Sequence, residues 1–250
     1  MMEFTKNLDS YVQAQLQNWS QTRRLPHVAE VIIPLDELYQ VSRNLIPPSS
    51  PPTYGRFLLL CHKAFLAAAT TIGRCQPDDA AGVTRRAIEI ATIAAAMKAD
   101  PANVDKWLAF EERMARWAER DRGERPRPFH PDIRFPSAPL VERLRAHLGM
   151  LSDASVHFTP EYLDSQRWWI EDKGAPTVTL YLPYFTGDQR TIEREFLFLG
   201  TVHADVLDLF DECFDGVFHR DSEWLRRRGA IEKRGRELSE LFRKDTDEGR

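Results

Sequence analysis

The sequence lacks the short motifs with which many enzymes bind nucleotides or metals. It contains no GxxxxGK[ST] phosphate loop, no GxGxxG after a strand, no GxSxG turn and no HExxH zinc motif. Its three cysteines are far apart and form no CxxC pair. We therefore expect neither a disulfide nor a zinc site, and interpret the cysteines as reduced thiols that line the core.

The sequence also lacks a strong charge of one sign and a long hydrophobic run. The formal net charge is −4 over 250 residues, so no global field attracts a polyanion or an anionic membrane. The longest weakly polar run, 57–72, is interrupted by His62 and Lys63. The N-terminus shows no basic-then-apolar signal pattern. These features predict a cytoplasmic protein that does not partner with a membrane.

Apolar residues recur at helical spacing along most of the chain. Asp100 followed by Pro101 is typical of a helix N-cap and first turn. Strongly amphipathic helices must bury their apolar stripes against one another, so the pattern predicts a mainly α fold, an antiparallel helical bundle. The stretches that carry this pattern in the central part of the chain are 55–73, 78–98, 100–121, 137–158 and 192–213.

Two short segments have the pattern of strands instead. Apolar and polar residues alternate over 177–184, and this stretch is separated from 167–170 by the turn-forming residues 172–176. The pattern predicts one β-hairpin at about 167–184. Near the N-terminus, the β-branched run Val31, Ile32 and Ile33 favours a short extended segment.

The chain divides into three parts by composition. Residues 1–53 form an N-terminal helical arm that ends in a proline-rich linker, which we interpret as a spacer. Residues 54–215 form the bundle core with its hairpin, and 216–250 form a charged C-terminal helix. The N- and C-terminal helices are thus peripheral. In the last helix, Trp224, Ile231 and Leu238 recur every seven residues, which fits either a dimer seam or docking on the bundle.

Charged residues near the C-terminus favour a solvated surface. The basic run Arg226, Arg227 and Arg228 is interleaved with glutamates at spacings that give ion pairs within a helix, and alternating signs cancel the field that a phosphate backbone needs. The carboxylates Asp205, Asp208, Asp211, Glu212 and Asp215 are interpreted as an exposed acidic face. No Glu-x-x-His pair occurs, so we expect no metal in the bundle and no cofactor.

Three stretches together resemble a bacterial helical-bundle family of unknown function that is related to HEPN domains (higher eukaryote and prokaryote nucleotide-binding domains). They are the helix over 57–73, the segment TRRAIE at 84–89 and the segment LSDASVH at 151–157. The resemblance covers about residues 55–165. It implies a bundle of four or five helices, often dimeric, with roles in stress response, toxin–antitoxin systems and phage defence.

Many relatives in that group are ribonucleases with an Arg-x4–6-His motif. Arg56 and Arg125 each have a histidine in that range, but Arg56 and His62 lie about 240° apart around a helix at 100° per residue. Arg125 lies in a proline-rich stretch. The histidine that matches the family's helix end is His157, and no arginine precedes it within that range.

The candidate site therefore combines His157 and Arg86, which would transfer protons and stabilise a phosphate if the chain cleaves RNA. Glu89, Ser152 and His203 join them either at that site or in a polar network that fixes the packing of the bundle. His203 lies between Leu199 and Val206 on the apolar stripe of its helix, a position more typical of a hydrogen-bonded core residue. The leading hypothesis is an HEPN-like binding protein, as part of a stress or phage-defence system. The alternatives are an HEPN-type ribonuclease and a structural dimerisation module, so whether the chain is an enzyme stays open. The expected partners are a second copy, another protein or RNA.

Overall fold

The computed structural model describes residues 8–107, 109, 133–151, 168–170, 179–181 and 188–248. Helices dominate this part of the chain, which confirms the prediction of a mainly α protein. Residues 102–107 are also helical. The helices and strands with defined bounds are α1 (Leu8–Thr22), α2 (Ile33–Leu45), α3 (Pro52–Gly73), α4 (Pro77–Ala99), α5 (Pro139–Leu151), β1 (Trp168–Ile170), β2 (Thr179–Tyr181), α6 (Gln189–Cys213) and α7 (Ser222–Glu248).

Aspartate side chains begin several of these helices as the sequence indicates. The Asp100 carboxylate accepts a hydrogen bond from the backbone N–H of Ala102 at 3.0 Å, which confirms the predicted N-cap. Asp188 accepts from Arg190 N–H at 3.1 Å at the start of α6. The helix predicted over 100–121 is described only at its beginning, and most of it lies outside the described residues.

The core is one continuous cluster of buried side chains that draws on helices from the N-terminal to the C-terminal part of the chain. Small residues dominate where α3 and α4 pack along each other, with Ala64 and Ala68 on one helix and Ala87 and Ala91 on the other all buried. Alanine allows two helix backbones to approach closely. Larger side chains fill the space where α2, α6 and α7 meet, and these include Leu35, Tyr39, Phe196, Phe210 and Trp224.

The extended segment predicted at residues 31–33 is wrong. Val28–Ile32 form one turn of π-helix that runs directly into α2. Val31 and Ile32 are buried there, and a Cβ built on Gly200 of α6 would lie only 2.8 Å from Val31 Cγ1. Packing against a glycine on a neighbouring helix therefore outweighs the preference of β-branched residues for extended backbone.

The two described strands pair with each other. β1 and β2 are antiparallel, with Trp169 opposite Leu180 in the register. The turn predicted at 172–176 lies outside the described residues, so the hairpin over 167–184 stays a prediction.

The C-terminal helix docks on the rest of the chain along its seven-residue stripe. Trp224, Ile231 and Leu238 are all buried. The indole N–H of Trp224 donates to Ser42 Oγ of α2 at 2.8 Å. An ion pair between Arg227 and Glu37 adds a second link to α2. The structure thus decides in favour of docking over a dimer seam for these three side chains.

Helix α3 is long and apolar enough to cross a membrane, judged by length and composition only. A buried core helix meets the same criterion, and Cys61, Phe65 and Ala68 of α3 are completely buried inside the protein. All three cysteines have free thiols, as the sequence predicts. Burial raises the pKa of the Cys213 thiol to about 12, which keeps it protonated and unreactive.

Gly73, at the end of α3, lies against Trp19 of α1. A Cβ at this position would lie 2.2 Å from Trp19 Cε3, an atom of the six-membered ring of the indole. We expect Gly73→Ala to displace Trp19 and to lower the free energy of unfolding by about 1–3 kcal/mol. Urea denaturation followed by circular dichroism measures this difference.

Gly82, inside α4, is the matched control because a Cβ there meets nothing within 4 Å. Gly82→Ala is expected to raise the free energy of unfolding by about 0.5–1 kcal/mol, since alanine is the better helix former. Equal effects of the two substitutions would contradict the proposed contact between Gly73 and Trp19.

Candidate functional site

A groove with a volume of about 450 Å³ lies where α5, α6 and α7 meet beside the π-helical turn. We call it the arginine groove, because four of its lining side chains are arginines. Three carboxylates, two hydroxyl groups and several small or aliphatic residues complete the lining. The lining residues are Val31, Arg143, Leu197, Gly200, Thr201, Ala204, Asp205, Arg228, Ile231, Glu232, Gly235, Arg236, Ser239, Glu240 and Arg243.

The wall formed by α5 and α6 contains a bidentate ion pair. Arg143 Nε and Nη2 donate to the two carboxylate oxygens of Asp205 at 2.7 and 2.8 Å. The Asp205 side chain is only 7% exposed, whereas that of Arg143 is 52% exposed. The hydrogen bond to Asp205 raises the pKa of Arg143. A buried carboxylate therefore holds a partly exposed guanidinium at the edge of the groove.

A second bidentate pair joins α7 to α6. Arg228 donates to both carboxylate oxygens of Asp208 at 3.0 and 2.7 Å, and both side chains are largely buried. Together with the burial of Asp205 and Asp211, this pair shows that the predicted exposed acidic face is wrong for these three aspartates, whereas Glu212 and Asp215 are exposed as predicted. The arginines that satisfy Asp205 and Asp208 come from α5 and α7, and helical spacing within α6 contains no information about them.

Arg236 and Arg243 lie further along α7 and are paired less completely. Arg236 Nη2 is 3.4 Å from Glu232 Oε1, a single contact between exposed side chains. Arg243 is exposed and has no ion-pair partner among the described residues. Ser239, between them, adds a hydroxyl group to the same lining. Among the four arginines of the groove, these two make the fewest contacts with carboxylates. A bound anion would therefore displace the fewest ion pairs there.

The predicted ion pairs within the last helix are present. Glu223 binds both Arg226 and Arg227, and these hydrogen bonds lower the pKa of Glu223 to about 2. Arg227 also reaches Glu37 of α2, as described above. Arg234 pairs with Glu30 beside the π-helical turn. The basic run is therefore not only a solvated surface, because several of its arginines fasten α7 to the rest of the chain.

The connection between α6 and α7 is organised by Asp211. Its buried carboxylate accepts hydrogen bonds from the backbone N–H groups of Phe218 and His219, and from Nδ1 of the His219 ring. Asp215 and Gly216 adopt positive φ angles of 58° and 73°, which turn the chain at the end of α6. These bonds fix where α7 begins, and so they position the arginines of the groove.

A second polar cluster lies in the core around His203. The Tyr39 hydroxyl group is 2.7 Å from His203 Nδ1, and His203 Nε2 has no hydrogen-bond partner among the described residues. His62 stacks on the Tyr39 ring at 4.8 Å and its Nε2 is 2.6 Å from Asp36 Oδ1. Burial lowers the pKa of His203 to about 3. His203 is therefore a neutral, hydrogen-bonded core residue, as its place on the apolar stripe predicts.

The residues proposed from the family resemblance are not assembled by the described part of the structure. Arg86 is exposed on α4, whereas His203 is completely buried. Glu89, on the same helix, accepts a hydrogen bond from Arg85 Nε at 2.9 Å, at the four-residue spacing that suits an ion pair in an α-helix. Ser152 and His157 lie outside the described residues.

The sequence gives little sign of the arginine groove. Arg236, Ser239 and Arg243 are spaced to share one face of a helix, which is the only local signal that they act together. Arg143 and Asp205 are 62 residues apart, and only the packing of α5 on α6 brings them into contact. Among the described residues, no group of three or more His, Cys, Asp or Glu side chains is placed to hold a metal ion.

Comparison with known proteins finds no relative. No protein-family model, no curated protein and no solved structure matches this chain. A function for the chain must therefore be argued from its own side chains.

Proposed function

We propose that this chain is a binding protein that holds a phosphate-bearing ligand in the arginine groove. The observation that carries this proposal is a groove of about 450 Å³ lined by Arg236 and Arg243, the two arginines of its lining that carboxylates bind least. This volume is typical of small-ligand sites in proteins. Guanidinium groups bind phosphate oxygens in a planar, bidentate geometry.

The degree of pairing distinguishes the arginines of the groove. Arg228 is committed to Asp208 by two hydrogen bonds and is largely buried, so it has a structural role. Arg243 has no ion-pair partner in the described part of the chain, and Arg236 makes one contact at 3.4 Å. A phosphate group would therefore bind between Arg236 and Arg243 without breaking a strong ion pair.

The wider role is part of the same proposal. The resemblance to HEPN-related bundles supports RNA as one source of the phosphate groups, and supports a place in a bacterial stress or phage-defence system. The free thiols support a cytoplasmic location. We keep binding, rather than RNA cleavage by His157 and Arg86, as the leading function, because the arginine groove is formed by described residues, whereas His157 lies outside them.

The test is isothermal titration of the protein with inorganic pyrophosphate and with a short RNA oligonucleotide. We expect the double variant Arg236→Ala/Arg243→Ala to lose at least tenfold in affinity for pyrophosphate, since hydrogen bonds to charged groups contribute about 1.5–3 kcal/mol each. Raising the salt concentration should weaken binding, because the attraction is between charges.

Arg226→Ala is the matched control. Arg226 is exposed on the same helix, pairs only with Glu223 in the described structure and does not line the groove. The control removes one positive charge and the double variant removes two. A loss of binding free energy in the control that is half of the loss in the double variant would therefore mean that binding follows net charge alone. Undetectable binding of both probes to the unchanged protein would refute the proposal, and cleavage of the RNA during the titration would favour the ribonuclease alternative.

A further inference from the structure

We infer that the arginine groove selects an amphiphilic anion, a phosphate monoester with one extended aliphatic chain. The inference rests on the proposed function and narrows its ligand class. The head group is assigned to Arg236 and Arg243, and the chain to the apolar middle of the groove. The inference is based on the shape of the groove and on the side chains that line it between Arg228 and Arg243 of α7.

The apolar part of the lining is aliphatic. It comprises Val31, Leu197, Gly200, Ala204 and Ile231, and none of the described lining residues is aromatic. Carboxylates bind Arg143 and Arg228 through the edges of their guanidinium groups, so this pairing does not by itself decide between a base and a hydrocarbon chain. Nucleobases are usually stacked on aromatic rings or guanidinium planes. The aliphatic middle of the groove, with no aromatic ring among the described lining residues, fits a flexible hydrocarbon chain.

The dimensions of the groove point to the same class of ligand. Its lining on α7 extends from Arg228 to Arg243, and fifteen residues at 1.5 Å each span about 22 Å. A groove of this length accommodates a single extended chain.

Small residues keep the middle of the groove open. A Cβ built on Gly235 meets nothing within 4 Å, so the backbone of α7 borders the groove there without a side chain. Gly200 and Ala204, one turn apart on α6, also present little side-chain bulk to it. A hydrocarbon chain placed between these residues would contact both helices along its length.

The charges at the two ends differ in a way that orients the ligand. At the Arg228 end, Asp205 and Asp208 each bind an arginine through two hydrogen bonds. At the other end, Arg243 has no such partner in the described chain. Glu240 also lines the groove between Arg236 and Arg243, so this end has no large excess of positive charge. The anionic head group is assigned to this end because Arg243 has no ion-pair partner among the described residues, and the hydrocarbon chain then runs toward Arg228.

The test is a titration with alkyl phosphates from butyl to octyl, as monomers in solution. Each methylene group buried in the groove should increase affinity by about two- to fourfold, since burial of one contributes about 0.8 kcal/mol at most. Gly235→Leu fills the middle of the groove and should lower affinity for octyl phosphate at least tenfold. It should change affinity for pyrophosphate by no more than about twofold.

Gly229→Leu is the matched control, because a Cβ at Gly229 also meets nothing within 4 Å but this residue does not line the groove. It should leave both affinities unchanged. If pyrophosphate binds and chain length has no effect, the inference fails and the proposed function stands. If neither probe binds, both fail. Tighter binding of RNA than of octyl phosphate would overturn the inference, and so would binding only to vesicles that contain phosphatidic acid.

Discussion

Trp224→Ala is expected to lower the free energy of unfolding by about 3–5 kcal/mol, the usual cost of removing a large aromatic side chain from a core. Trp224 is 0% exposed and packs against the rings of Phe218 and His219. The substitution also removes the N–H donor of the hydrogen bond to Ser42 Oγ, a buried group that would then lose this partner.

Thermal and urea denaturation measure the effect. For a chain of this size the melting temperature should fall by on the order of 10 °C. Leu225→Ala is the control, since Leu225 is the next residue on the helix and is 43% exposed, and it should change stability by no more than about 0.5 kcal/mol. If both substitutions have the same small effect, α7 does not dock on α2 as described.

Stability should fall by up to about 4–5 kcal/mol as the pH is lowered from 6.5 toward 3, because of His203. Burial lowers the pKa of His203 to about 3, whereas the unfolded chain has a pKa near 6.5 at this residue. Between those two values the unfolded form takes up a proton that the folded form does not bind. Above pH 6.5 His203 is neutral in both forms and does not lower the free energy of unfolding. As the pH falls below 6.5, protonation of the unfolded chain lowers that free energy.

His203→Asn isolates this contribution. Asparagine keeps a polar group within reach of the Tyr39 hydroxyl group and does not titrate. We expect the slope of the free energy of unfolding against pH between about 4 and 6 to decrease by about 1.4 kcal/mol per pH unit. Burial also lowers the pKa of His27 and of His147, so these histidines should contribute the part of the slope that is left.

Tyr39→Phe is the second variant of this pair. It removes the hydroxyl group, leaves His203 Nδ1 without a partner and retains the titrating ring. It should lower the free energy of unfolding by about 1–3 kcal/mol at neutral pH. The free energy of unfolding should still fall with decreasing pH between about 6 and 4, because His203 is retained. If the slope of the free energy of unfolding against pH is the same in His203→Asn and in the unchanged protein, His203 does not cause the loss of stability in acid.

Several local features followed from the sequence. Helical periodicity predicted the helical regions, because apolar residues at 3.6-residue spacing lie on one face of a helix, and that face packs against other apolar surfaces. The Asp100 N-cap was also predictable, since its hydrogen bond spans two residues. His203 was placed in the core from its position between Leu199 and Val206, which are both buried. In each case the interaction lies within one helical segment.

Features that depend on contacts between distant segments were not predictable in this way. The π-helical turn at Val28–Ile32 was predicted as an extended segment, because its backbone is decided by packing against Gly200. The pairing of Asp205 with Arg143 was missed for the same reason. Local propensity is a weak preference, and contact with a distant helix overrides it.

The sequence by itself determined that this protein is mainly α-helical and that its three thiols are unpaired. It also determined that its last helix carries ion pairs and an apolar stripe. Only the tertiary structure decided that this stripe docks on α2 and that two aspartates of α6 are bound by arginines. The arginine groove also depends on the tertiary structure, because its charged residues come from α5, α6 and α7. A helix determines which side chains share its face, and only the packing of helices determines which faces meet.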